Sequence, residues 1–344
     1  MNLKTLTAIM LMLSAATLAG PALAQSSPPG KGTGAEASRD APATLPVAKA
    51  KPLPKVSSDG SARALGEEPS VESYGTVTLN RDGSVTESEA SDSMRAILGA
   101  EAAAPGGGTP ASLTVGPDDR KQITDSSSYP YSAVGWLFAQ DQKDGWSTCS
   151  ATLIGPKTVI TAAHCVYDHG TGGWVKQLLF IPGATDAESA PFGVFDWDGV
   201  HVLKGYIENY DGENYGSAMP WDMAIINLIE SPGDTLGWMG FMVDKAGAWK
   251  AGNIGYPADK PDGTMWESSC KIVAENYADL YGAEGLLFWH TCDTYSGSSG
   301  SSIFEVGEDG LPYVRGINVA EDDQRNYATD INDVNFDWIQ SYYQ

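Results

Sequence analysis

The sequence predicts an all-β fold, a barrel or sandwich of short antiparallel strands that ends in one helix and is preceded by a low-complexity segment. Three observations predict it. From about Leu113 onward, short apolar runs are separated by Gly, Pro, Asn and Asp; they have strand length and several alternate in polarity, as half-buried strands do. No sustained 3.6-residue periodicity appears there until the tail DVNFDWIQSYYQ, which can close the fold as a helix. From Gln25 to about Gly108 the composition shifts to Pro, Ala, Gly and Ser with few aromatics, too little apolar surface to offset the entropy of ordering a chain.

Taken in order, the chain opens with Lys4, an apolar run from Leu6 to Leu18, and the small-residue site Ala22-Leu23-Ala24. Residues 1–24 therefore read as a secretory signal peptide cut after Ala24. No later stretch approaches the roughly 20 apolar residues of a spanning helix. Residues 25–112 form the low-complexity segment, a propeptide or a disordered linker. The strand-like runs that follow are AVGWLFA (133–139), SATLIG (150–155), TVITAA (158–163), QLLFIPG (177–183), VHVLKG (200–205), MAIINLI (223–229), GLLFWHT (285–291), SSIFEV (301–306) and VRGINVA (314–320). Many short strands with turn residues between them mean a barrel or sandwich over 113–344.

Export places the chain where disulfides persist, and it has four cysteines: Cys149, Cys165, Cys270 and Cys292. Four cysteines permit three pairings; proximity in sequence favours Cys149 with Cys165 and Cys270 with Cys292. A zinc site is the competing reading, but no Cys-x-x-Cys or His-Glu-x-x-His spacing is present. The formal charge is −23, and from Leu113 onward 12 Lys and Arg face 33 Asp and Glu, so the folded part carries nearly all of it. Such a surface repels nucleic acid and anionic lipid. It suits a solvated protein in an extracellular or saline medium.

Three segments carry chemistry. TVITAAHC sets His164 at the end of a β-branched run beside Cys165, where a disulfide to Cys149 would staple the His-bearing loop to its neighbouring strand; a histidine used as general base has to be held in place this closely. WDMAIINLI sets Asp222 at the mouth of a continuous apolar strand, where a buried carboxylate can accept an imidazole N–H. Of the other acids before Ser299, among them Asp168, Asp196, Asp198 and Asp211, most lie in polar or Gly-rich surroundings and read as surface residues. TCDTYSGSSGSSIF carries Ser299 in a Gly-flanked turn, where the N–H groups of Gly297 and Ser299 can converge on one oxyanion. Ser298, Ser301 and Ser302 stand close by, and the run lacks the G-x-S-x-G elbow of α/β-hydrolases. The order His, Asp, Ser fits neither the subtilisin nor the α/β-hydrolase order.

With these motifs in hand, the chain from about Leu113 onward resembles the chymotrypsin-like serine peptidases, and in particular their V8-like (glutamyl endopeptidase) branch. TAAHC, WDMAIINL and SGSSGSS resemble the three catalytic motifs; DDRKQITDSSSYPYSAVG, IGPKTVITAAHCVYD and GYPADKPDGTMW resemble that branch. The resemblance implies two packed six-stranded antiparallel barrels, a His164–Asp222–Ser299 triad, an oxyanion hole at Gly297 and Ser299, and a secreted, monomeric, cofactor-free and metal-free endopeptidase acting on protein or peptide substrates. It favours the propeptide over the linker, since a peptidase has to be silent during export, and implies a zymogen matured near Leu113 to Val115.

Two departures leave the substrate residue open. Ser298 stands where trypsin has the acid that pairs with a new N-terminus, so the trypsin-type switch is not expected. Asn318 stands where the glutamyl branch has a histidine that meets a substrate carboxylate. Asp293, six residues before Ser299, matches the trypsin acid that pairs with Arg or Lys; its alternative is a local hydrogen bond. Thr294 would line the pocket and Val319, Ala320 and Glu321 would pair with the substrate backbone, so the residue recognised is Arg/Lys or Glu. The rival functions are a catalytically silent protease-like binding module and, on composition alone, an exported adhesin whose acidic face binds cations.

Overall fold

The computed structural model describes residues 44–56, 70–101, 117–210, 212, 215–243, 247–277 and 285–344. The signal peptide read at 1–24 and the maturation point near Leu113 lie outside the described residues. Early in the chain come β1 (Lys49–Ala50), the hairpin β2 (Thr76–Asn80) and β3 (Val85–Ser88), and α1 (Asp92–Glu101). The first half of the main fold adds β4 (Lys121–Ile123), β5 (Val134–Gln140), β6 (Trp146–Leu153), β7 (Thr158–Thr161), β8 (Tyr167–Asp168), β9 (Gly173–Trp174), β10 (Gln177–Pro182), β11 (Phe195–Leu203), α2 (Lys204–Glu208) and β12 (Ala224–Leu228). The second half adds α3 (Gly233–Leu236), β13 (Gly240–Phe241), β14 (Trp249–Gly255), β15 (Met265–Ile272), β16 (Leu287–His290), β17 (Ser302–Val306), β18 (Pro312–Glu321), β19 (Asn326–Asp330) and α4 (Asp333–Tyr342).

The first sheet runs β10-β5-β6-β7-β12-β11-β2-β3, with β1 on the side of β6. Pairing of β10 with β11, Leu179 opposite Asp196 and Phe180 opposite Phe195, closes the first six strands of that order into a barrel. All six coincide with apolar runs read from the sequence, because both faces of these strands are covered: β7 and β12 are buried at every residue. Each large side chain enclosed here, such as Phe138 or Phe180 at 1% exposure, contributes about 1.5–3 kcal/mol through removal from water.

The second sheet runs β16-β19-β18-β17-β14-β15-β4, with β13 on β18. This half closes differently from the first. No hydrogen-bonded ladder joins β15 to β16 among the described residues; the two strands lie side by side, and the disulfide from Cys270 in β15 to Cys292 just beyond β16 bridges the seam. The two barrels otherwise share one large apolar core, and a smaller cluster of Trp249, Ala251, Ile272, Phe288, Ile303 and Ala328 lies within the second sheet.

The tail forms α4 as expected. Asn332 caps it by accepting the Asn335 N–H at 2.9 Å, and Val334, Phe336, Trp338 and Ile339 face inward. The low-complexity reading of 25–112 is corrected over 70–101, where Tyr74, Val77, Leu79, Ala90 and Met94 are buried. There β2 pairs with β11, and the Trp338 indole N–H on α4 donates to Thr76 at 2.9 Å. A composition averaged over the whole segment hid a short alternating hairpin whose Asp82-Gly83 turn has Gly83 at φ 83°.

Candidate active site

β7 leads into a single 3-10 turn, Ala163–Cys165, that carries His164. The bond between Cys165 and Cys149 on β6 fastens this turn to the adjacent strand. Asp222 follows a second such turn, Met219–Trp221, and stands fully buried at the entrance to β12. Its two oxygens hold the histidine at two points: Oδ1 accepts the His164 backbone N–H at 2.8 Å, and Oδ2 lies 2.6 Å from Nδ1. A carboxylate only accepts, so Nδ1 carries the ring proton and Nε2 presents a lone pair. The Tyr215 hydroxyl also donates to Asp222 Oδ2, with its ring edge-on to the imidazole. From the second sheet, Thr329 Oγ1 donates to the Met219 carbonyl at 2.9 Å and steadies the Asp222 turn from behind.

Ser299 sits in a turn whose two glycines are both required. Gly297 has φ 93° and Gly300 φ 79°, a region costly for other residues. A Cβ on Gly300 would come within 2.1 Å of Thr161 Oγ1, on the strand that leads to His164. The turn is tied to the first barrel by Ser150, whose N–H donates to Ser299 O at 2.8 Å and whose hydroxyl donates to Gly297 O at 2.9 Å.

Among the neighbouring serines the hydrogen bonds single one out. Ser298 Oγ accepts from the Tyr295 N–H, Ser301 Oγ accepts from Asn253, and Ser302 Oγ donates to Thr152. Ser299 Oγ is buried and has no partner, and the same is true of His164 Nε2. Buried polar atoms are nearly always hydrogen-bonded. Ser268 Oγ and His290 Nδ1 are in the same state elsewhere; Ser299 Oγ and His164 Nε2 differ in lying on turns joined through β6 and β7, and they do not bond each other in this structure.

The remaining sequence-predicted residues are placed as follows. The Gly297 N–H points at a carbonyl, that of Lys51, at 2.9 Å. Asp293 Oδ2 accepts the Asp119 backbone N–H at 2.9 Å, and burial pushes its carboxyl above the usual range. Thr294 Oγ1 is buried without a partner. Asn318 is fully enclosed: its Oδ1 accepts from His290 Nε2 at 3.1 Å and its Nδ2 donates to Ser298 O at 3.2 Å. Val319 and Ala320 are buried and Glu321 reaches the surface. Burial lowers the His290 imidazole to about 4, so it is neutral at ordinary pH.

Sequence reasoning missed Tyr215, the Lys51 contact and His290 behind Asn318. The four-residue stretch 215–218 offers no motif, and the other two are pairings between distant segments. Two groups bring cysteine and histidine within ligand distance, Cys149–His164–Cys165 and Cys270–His290–Cys292. In both the sulfurs are bonded to each other as disulfides, so they offer no thiolates to a metal.

The molecule can now be set beside known proteins. The family model described as Trypsin matches residues 123–339. The chain is 33% identical over 200 residues to a Bacillus subtilis (strain 168) protein named extracellular metalloprotease, covering 56% of this chain and 58% of that one. It is 31% identical over 194 residues to the glutamyl endopeptidase of Bacillus licheniformis, covering 56% and 54%, and 29% identical over 196 residues to that of Staphylococcus aureus strain MW2, covering 54% and 52%. It thus spans about half the length of the curated relatives it matches. Among solved structures, a Glu endopeptidase in complex with MPD superposes with a TM-score of 0.55 at 23% identity, over 67% of this chain and 99% of that one. The protease Anisep from Arthrobacter nicotinovorans gives 0.50 at 18%, over 64% and 98%. At such identities the two structures speak for the fold.

Proposed function

The chain belongs to the trypsin family, and on that premise we propose that it is a secreted, monomeric serine endopeptidase with His164, Asp222 and Ser299 as its triad. The observation that carries the reading is the unpartnered Ser299 hydroxyl in a run where Ser298, Ser301 and Ser302 are all engaged, together with an imidazole whose Nδ1 is held by a buried carboxylate. Ser299 Oγ attacks the substrate carbonyl while His164 Nε2 takes its proton. Asp222 holds the ring in the correct tautomer and stabilises the imidazolium that forms. The N–H groups of Gly297 and Ser299 hold the oxyanion, and each such donor is worth about 100- to 1000-fold in rate. His164 then protonates the leaving amine, and water resolves the acyl-enzyme by the same route in reverse.

No cofactor enters this route. A metal-dependent route, which the name of the Bacillus subtilis relative brings to mind, finds no fitting donors in the two Cys/His groups, whose sulfurs are disulfide-bonded.

The residue recognised is Glu or Arg/Lys. The names of the glutamyl relatives support Glu, while Asp293 supports a basic residue only if the Asp119 amide leaves its carboxylate free. A peptide library digested by processed enzyme and read by mass spectrometry decides between them. The triad is tested by Ser299→Ala: proteolysis and fluorophosphonate labelling should both vanish, and persistence of either at wild-type level sinks the assignment. Loss of both also rejects the silent binding module, since wild-type activity is then real.

A further inference from the structure

Residues 44–56 fall in the segment read as a propeptide, yet they run directly across the site. Their path is marked by hydrogen bonds. β1 pairs in parallel with β6, Lys49 opposite Ser147 and Ala50 opposite Thr148, and the Lys51 N–H donates to Thr148 O at 2.7 Å. The Lys51 carbonyl then accepts the Gly297 N–H at 2.9 Å. Further along, Pro54 O accepts the Glu321 N–H at 3.0 Å and the Val56 N–H donates to Glu321 O at 3.1 Å, again a parallel bridge. The Lys51 ammonium is ion-paired with Asp168 and that of Lys55 with Glu321. Between them Leu53 is 2% exposed.

Resting on the assignment of Ser299 as nucleophile, we infer that this stretch is a peptide inhibitor carried within the chain: a strap threaded through the catalytic groove that occupies it without being cut. Three observations converge. The Gly297 amide, one of the two proposed oxyanion donors, is already engaged by a carbonyl. With the strap in place Ser299 is wholly buried and His164 is 4% exposed. The strap also takes the edge at Glu321 that an extended peptide would use for backbone pairing, and it pairs along β6 as well.

The strap is a ligand rather than a substrate for a reason visible in its sequence. The bond presented beside Gly297 is Lys51–Pro52, and its nitrogen belongs to a proline ring that bears no hydrogen and fixes the local backbone. Pro54 stiffens the next step.

Residues 70–101 supply an anchor, since β2 extends the first barrel along β11 and α1 rests against α4. Only positions 57–69 separate strap from anchor in the chain, so binding of the strap is intramolecular. A cut near Leu113 would leave strap and anchor bound through these contacts. The cleaved molecule stays silent until the released segment is itself degraded.

The test replaces 44–56 in the full chain with a Gly/Ser segment of equal length, with Leu53→Asp as a second variant, each in wild-type and Ser299→Ala backgrounds. In the Ser299→Ala chain, hydrogen exchange at the Gly297 and Glu321 amides should quicken at least tenfold in both variants, and a synthetic 44–56 peptide should restore the protection while a scrambled one does not. In the Ser299 chain, the replaced form should hydrolyse peptides at least tenfold faster than the intact chain, and the peptide should inhibit it competitively and be recovered whole. Unchanged exchange, or cleavage of the peptide at Lys51–Pro52, overturns the inference. Protection by the peptide with no hydrolysis in any form leaves the strap standing and rejects Ser299 as nucleophile instead.

Discussion

The two halves of the molecule close in different ways. The first barrel is sealed by backbone hydrogen bonds between β10 and β11; the second is brought together at its seam by the covalent link from Cys270 to Cys292. Chemistry divides along the same line. The first half holds the proposed acid and base, His164 and Asp222, on turns at the ends of strands buried on both faces, while the second holds the proposed nucleophile on a turn tied back to the first half by Ser150. The proposed proton relay needs fixed geometry and sits in the half sealed by backbone hydrogen bonds. The proposed substrate pocket sits in the half whose seam is covalent.

The largest effect should come from breaking the relay. Asp222→Asn leaves the fold but favours the wrong imidazole tautomer, and kcat should fall about 10,000-fold, the loss found when the aspartate of another triad is so changed. A fall below about tenfold would mean that Tyr215 and the backbone contact orient His164 unaided.

The disulfides come next. Replacing Cys270 and Cys292 by Ser should lower unfolding free energy by about 3 kcal/mol, given a sequence separation of 22, and raise KM more than it lowers kcat, because Cys292 adjoins Asp293. Replacing Cys149 and Cys165 should cost a similar stability but act on kcat through the His164 turn. Urea titration with steady-state kinetics reads both, and identical kinetic signatures would erase the contrast.

Acid should weaken both halves, one histidine in each. Burial holds His201 and His290 at about 4 in the folded state, against 6.5 for the free side chain. Between these values the unfolded chain binds a proton at each site and the folded chain does not, so stability falls as pH drops from 6.5 towards 4. The slope is at most about 1.4 kcal/mol per pH unit for each histidine. His201→Gln and His290→Gln should each flatten the urea-midpoint profile in that window, and a profile unchanged by either places the acid sensitivity elsewhere. The smallest effect is expected at the exposed Lys176–Asp144 pair, 2.8 Å apart on the first barrel: Lys176→Ala should change stability by less than about 1 kcal/mol.

Legibility follows the same division. Every strand of the first barrel announced itself as an apolar run, because strands enclosed on two faces are rich in apolar residues, even though β6 and β7 also bury Thr148, Ser150, Thr152, Thr158 and Thr161. In the second, β14 and β15 went unread: β15 buries Met265, Ser268 and Ile272 while Glu267, Ser269 and Lys271 remain outside the core, so its polar face diluted the signal. The proposed triad could be read because each member lies within a short local motif. Tyr215, His290 behind Asn318 and the strap across Gly297 could not, since each contact joins segments whose spacing in sequence carries no trace of their meeting. The choice of Ser299 among four neighbours rested on register, and the hydrogen bonds of the other three now give it a chemical ground.

The unladdered seam of the second barrel has one more consequence. Joining Cys270 to Cys292 removes two electrons and two protons, so completing that half requires an oxidant as well as a sequence. In a compartment poised to keep thiols reduced, the seam and the His164 turn would both lose their covalent fastening, while the seal between β10 and β11 kept its hydrogen bonds. The fold thereby reports the chemistry of its surroundings, and full assembly of the site is reserved for places where electrons are scarce.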